Sequence, residues 1–190
     1  MKNKKLWITL GVVALVVIIL ISSIVGSYNG FVEKQTAVES QFAQVQNVLQ
    51  RRSDLIPNLV NTVKGYTAHE NEVYTAISDA RAKLAGANTV EEATEANSAL
   101  DSALSRLLVI VENYPDLKAN QNFIGLQDEL AGSESRIAKE RKNYNEAVQD
   151  YNASIRKFPK SIIAGLFGFD KADFFEADAN AQDAPEVSFD

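Results

Sequence analysis

The residues best able to do chemistry are His69 and Glu70, which stand side by side. An imidazole next to a carboxylate is the smallest set that supports general acid/base catalysis or supplies half of a metal site. The rest of such a site is absent from the sequence. His69 is the only histidine and there is no cysteine, so no typical zinc set can be completed. A carboxylate di-metal site in a helical bundle needs two Glu-x-x-His pairs, and none exists. Lys64-Gly65 lacks the glycine-rich loop that cradles phosphate, which removes a nucleotide site. The sequence therefore assigns no catalytic, cofactor-binding or metal-binding residue, and His69 reads as a surface histidine beside a structural glutamate. The competing reading keeps Glu70 as the general base of an envelope-associated, metal-assisted hydrolase whose cation is held by neighbouring acids.

Several charged residues fall at helical positions where ion pairs could fix how helices align: Arg51, Arg52, Glu70, Arg106, Glu112, Glu140 and Arg141. A buried charge without a partner is too costly to keep, so such residues should converge in pairs that set register. Asn58, Asn61, Asn120, Asn145 and Asn152 read as helix caps or interhelical bonds. Structural or interaction roles are expected for Arg51, Arg52, Asp54, Pro57, Glu70, Glu112, Tyr114, Pro115, Arg141, Phe167 and Phe169.

The elements that must position these residues begin with a membrane span. Leu6 to Val25 is a run of twenty residues without a charge, which at about 1.5 Å per residue matches a hydrocarbon core of roughly 30 Å. A cleaved signal peptide has a shorter apolar core, and Ile24-Val25-Gly26 is a poor cleavage site. Trp7 and Tyr28 lie where aromatic rings favour the headgroup layer. Lys2, Lys4 and Lys5 predict a cytoplasmic N-terminus, with the chain beyond the span outside. Ser22 and Gly26 form a small-xxx-small pair that would let two spans approach, so a homo-oligomer is a candidate. Of 19 basic residues these three lysines precede the span, leaving 16 against 25 acids and a net of −9. Nucleic acid is excluded as a partner on that charge.

Beyond the span come four amphipathic helices. The first, from about Tyr28 to Arg52, carries the stripe Phe31, Gln35, Val38, Phe42, Val45, Leu49 and Arg52. A corner at Arg51 to Asp54 should open the second, because Ser53 and Asp54 are good N-caps and Pro57 is tolerable only near a helix start. That helix runs to about Ala85 with Ile56, Leu59, Val63, Tyr66, Val73, Ile77 and Leu84 on one face, and Glu70 filling a core-facing place among them. The third spans about Val90 to Asn113 and is stopped by Pro115; the fourth spans about Asn120 to Lys157. The expected fold is all-α: an N-terminal transmembrane helix over 1–27, an antiparallel up-and-down four-helix bundle over 28–159, and an irregular tail over 160–190, apolar and then acidic. In the tail, Ile162 to Phe169 either caps the open end of the core or sinks apolar side chains among lipid headgroups.

These stretches also carry a resemblance. Arg51-Arg52-Ser53-Asp54-Leu55-Ile56-Pro57-Asn58-Leu59-Val60, Val63-Lys64-Gly65-Tyr66 with His69-Glu70, Glu112-Asn113-Tyr114-Pro115-Asp116-Leu117-Lys118-Ala119-Asn120 and Ala164-Gly165-Leu166-Phe167-Gly168-Phe169 resemble the LemA family of bacterial membrane-anchored proteins. Shorter matches at Glu134, Arg136-Ile137, Arg141, Tyr144-Asn145, Tyr151-Asn152 and Phe158-Pro159 extend it from about residue 28 onward. Phe42 departs from the tryptophan associated with that place. The resemblance implies one N-terminal span and a helical bundle, and it implies no activity, cofactor or catalytic residue. Some descriptions of the family place the N-terminus outside, opposite to what the lysines imply. The function expected is a non-enzymatic, membrane-anchored scaffold of the cell envelope that binds a protein partner through its bundle faces or tail.

Overall fold

The computed structural model describes residues 2–67 and 70–176, with side chains of the first helix from Trp7 onward. His69 and the terminal Val187-Ser188-Phe189 lie outside the described residues. Every regular element among the described residues is helical: α1 (Lys2–Lys64), α2 (Asn71–Gly86), α3 (Val90–Val111), α4 (Pro115–Lys118), α5 (Gln121–Arg156) and α6 (Lys160–Phe167). The chain divides into two units, one holding the residues up to Ser40 with Glu146–Ala172, the other Gln41–Asn145 with the stretch from Asp173.

The expected corner at Arg51 to Asp54 does not exist, because α1 continues through it with Pro57 inside. The side chains that looked like caps are engaged elsewhere: Ser53 Oγ accepts from Arg81 Nε at 3.2 Å, and Asp54 Oδ1 accepts from Gln50 Nε2 at 2.8 Å. The direction changes later, where Tyr66 and Thr67 donate backbone N–H groups to the Val63 carbonyl at 2.9 and 3.1 Å. Thr67 is buried and its hydroxyl also meets Tyr74 OH.

In the second unit the helix senses are set by paired residues. Lys64 lies over the Tyr74 ring and Ser53 meets Arg81, so α2 runs back along α1. Gln46 reaches the Ala87 carbonyl while Arg52 reaches Asn97, so α3 runs with α1. Asn120 bonds Tyr66 and Tyr144 faces Phe42, so α5 runs against it. The start of α3 is fixed by a capping box in which Thr89 and Glu92 satisfy each other's backbone N–H groups. Pro115 sits at the first turn of α4, where its missing N–H costs nothing. Ile56, Leu59, Val63, Ile77, Leu100, Leu107, Leu117 and Phe123 are fully buried there.

In the first unit, Phe31 and Val148 are fully buried, and Tyr151, Ile155 and Ala164 nearly so. The expected irregular chain after Pro159 begins instead with α6, which tolerates Gly165 because burial of Ala164 holds it in place. Gly168 ends the helix at φ 73°, a left-handed conformation that glycine adopts without strain.

Candidate interaction surfaces

Arg52 is the buried ion of the second unit, 4% exposed on the core side of α1. Its Nη1 donates to Asn97 Oδ1 at 2.8 Å, and Nη2 meets both Asp101 and Glu134. Asn97 Nδ2 in turn donates to Asp101 Oδ2 at 2.9 Å, one helical turn along α3. One guanidinium thereby ties α1 to α3 and α5. Burial pushes the Glu134 carboxyl above the usual range, and the neighbouring Asp101 adds to that, while Arg52 and Arg141 pull it back only in part. Beside these groups lies a groove of about 370 Å³ walled by Leu59, Leu104, Leu108 and Leu130, with Asp101 and Glu134 among its lining. Apolar walls beside fixed charges suit an aliphatic or aromatic side chain that ends in a polar group.

A second surface in this unit holds the chain's own tail. The Asn145 side chain donates to the Phe175 carbonyl and accepts from the Phe175 N–H, each at 2.9 Å. Tyr144 OH donates to the Asp173 carbonyl at 3.0 Å, and burial together with Asp173 holds the phenol above its ordinary pKa. The Phe175 ring is buried edge-on to Tyr144 and stacked near Phe42, with the Arg141 guanidinium 5.1 Å from its centre. The first unit repeats the backbone clamp with Asn152, which bonds both the N–H and the carbonyl of Ala172 at 2.9 and 2.8 Å. There Phe167 and Phe169 stand edge-on to Tyr28 at 5.1 and 5.5 Å, and Phe169 meets Phe31 at 5.2 Å.

The residues picked out from sequence separate accordingly. Arg52, Arg141, Phe167 and Phe169 belong to these assemblies. Glu70, expected to face the core against an arginine, is half-buried at the N-cap of α2, makes no cap bond and takes no part in the Arg52 network. Its place as an acid partner is taken by Asp101 and Glu134. Asp101 was detectable, since Asn97 and Asp101 are spaced one turn apart on the core side of α3. Arg51, Asp54 and Arg106 are exposed. Glu140 accepts from Asn143 at 2.8 Å. Glu112 forms an exposed ion pair with Lys118 at 2.6 Å, and Tyr114 supplies the carbonyl that starts α4. Asn145 and Asn152, expected as caps or interhelical bonds, bind tail backbone instead. Among the described residues no group of three His, Cys, Asp or Glu gathers where it could hold a metal ion.

Comparison with known proteins matches residues 41–189 to the LemA family. Magnetosome protein MamQ 2 of Paramagnetospirillum magneticum is 26% identical over 198 residues, covering 90% of this chain and 72% of that protein. Magnetosome protein MamQ of Magnetospirillum gryphiswaldense is 24% identical over 205 residues, covering 94% and 75%. Protein LemA of Metamycoplasma hominis is 26% identical over 154 residues, covering 80% and 70%.

The network sets two stability outcomes. Arg52→Ala removes the charge-assisted bonds to Asn97, Asp101 and Glu134 and the packing of a buried stem, while both carboxylates keep their access to water, and should cost about 1.5–3 kcal/mol, whereas Glu70→Ala should stay under about 1 kcal/mol. Urea unfolding of the detergent-solubilised chain compares the two, and equal losses would remove Arg52 from its central role. The raised Glu134 carboxyl sets the second outcome. A folded-state pKa above the unfolded value stabilises the fold at low pH and loses that contribution as pH rises through the folded value. Glu134→Gln should match the parent at the acid end and become relatively more stable as the pH climbs. Melting temperatures between pH 4 and 8, about the window of a displaced carboxylate, check the sign.

Proposed function

The chain belongs to the LemA family, and from that membership we propose that it works as a membrane-anchored, non-enzymatic interaction module of the bacterial cell envelope. The observation that carries this reading is the continuity of α1. Its apolar segment is exposed on all sides from Trp7 through Val25, and the same helix then supplies buried core residues from Phe31 to Val63. An anchor joined to a folded module without a flexible linker transmits position, which is what a scaffold requires. The four longer helices of the second unit, α1, α2, α3 and α5, act in this reading as an up-and-down bundle, and its partner is a protein that docks in the groove beside Leu104 and Leu108. Leu108, on the wall of this groove, is 39% exposed.

Two experiments test the proposal. A photocrosslinking residue at position 108, in the native membrane, should yield a discrete protein adduct that the same group at the exposed Glu91 does not; no adduct at 108 sinks the groove as the docking face. The lysines ahead of the span set the orientation. External protease on spheroplasts should digest the part after the span and spare an N-terminal tag, and the reverse pattern would overturn that orientation.

A further inference from the structure

The first unit leaves an apolar face uncovered beside the end of the span. α6 turns Ala164 inward at 3% exposure, while Ile162 and Leu166, one turn apart on its opposite face, are 66% and 77% exposed. Phe158, a further four residues back, is 83% exposed. Singly exposed apolar residues need no explanation, but two on one helical face, with Phe158 in the turn just before α6, concentrate apolar surface in one short stretch.

The position of that patch is fixed by Tyr28. Its ring lies 5.1 Å from that of Phe167, the last residue of α6. Tyr28 lies three residues past Val25, the end of the charge-free run, or about 4.5 Å of helix rise. The end of α6 therefore stands at the level where the apolar run meets the headgroups. Lys157 and Lys160, both exposed, flank its start, and no acid occurs between Lys157 and Phe169. The acids beyond Phe169 are carried away. After Gly168 the chain turns back along α5 and Ala172 is clamped by Asn152, four residues or about 6 Å before the end of that helix. α5 itself descends towards the span, since its Asp150 lies 3.9 Å from Lys34, on the far side of Tyr28 from Val25.

We propose that α6 is a second membrane element that lies in the interfacial layer of the bilayer crossed by α1. Phe158, Ile162 and Leu166 enter the upper acyl region, and Lys157 and Lys160 meet anionic headgroups. Phe169 and Ala164 meanwhile pack inward, so the segment serves the protein interior and the lipid on different faces. The occupant of the exposed face is the lipid surface because that face is continuous with the span; the inference rests on the reading of α1 as an anchor.

The absence of cysteine allows single labels in the full chain. Ile162→Cys, Leu166→Cys, Gln149→Cys and Ile18→Cys, each carrying an environment-sensitive fluorophore, are reconstituted into phosphatidylcholine–phosphatidylglycerol vesicles with bromine at a shallow or a deep acyl position. The labels at 162 and 166 should shift to the blue and lose emission chiefly to shallow bromine, the label at 18 chiefly to deep bromine, and the label at 149 to neither. Unquenched labels at 162 and 166 with a deep label at 18 overturn the inference and leave the anchor intact. Chiefly deep quenching at 162 and 166 also overturns it, as insertion rather than interfacial contact. An unquenched label at 18 defeats the anchor itself.

Discussion

The structure depends on one continuous helix, α1, whose first part is apolar and exposed and whose second part supplies the core. In the anchor reading proposed above, the apolar part of α1 has no alternative to the helical ladder, because within lipid every backbone N–H and carbonyl must be satisfied internally. Beyond Tyr28 the same ladder continues, and burial of Phe31, Val38, Val45, Leu49, Ile56, Leu59 and Val63 sustains it. The weakest point is Pro57, which removes a donor and crowds the preceding turn at a cost of roughly 3 kcal/mol. Ile56 and Leu59, at 0% and 1% exposure, flank it. Each contributes about 1.5–3 kcal/mol of burial, enough together to offset the proline. Packing thus overrides local propensity, and α1 continues through the proline to Lys64.

That continuity decides where charge must be placed. Arg52 lies on the stripe that supplies the core, so its guanidinium cannot reach water and must be met by partners from other helices. Asn97 and Asp101 on α3 and Glu134 on α5 meet it. A slip of one turn, about 5.4 Å, by any of the three helices would strand the ion. Asp101 and Glu134 keep part of their side chains in water while the guanidinium does not, so the cation is the group the network must satisfy. Its effect is to make alternative registers expensive.

How far the sequence could be read depends on the same balance. The apolar N-terminal helix was legible because a charge-free run of that length has few other readings, and the end of α3 was legible because Pro115 stops a helix by chemistry that no tertiary contact reversed. The corner was misplaced because Ser53, Asp54 and Pro57 spell a helix start locally, and only Arg81 and Gln50 reveal that the supposed caps are already engaged. Glu70 was misread as a consequence: once the helix was begun too late, its periodicity ran through a turn and assigned a half-exposed residue to the core. α6 was hidden by Gly165 and Gly168, which argue for a loop until burial of Ala164 and the aromatic contact of Phe167 are added.

The tail shows a kind of recognition that periodicity cannot encode. An extended segment without a strand beside it carries N–H and carbonyl groups that nothing satisfies. An asparagine amide offers one acceptor and two donors on a planar group, so a single side chain can meet both backbone groups of one residue. Asn145 does this for Phe175 and Asn152 for Ala172, in separate units. Neither clamp reads a side chain, so neither fixes which residue of the tail it holds. In the second unit that choice falls to the Phe175 ring, which fills the space between Phe42 and Tyr144 under the Arg141 guanidinium. Backbone bonds hold the segment and one ring sets its position, which is how an acidic stretch with little apolar surface can lie ordered against a helix.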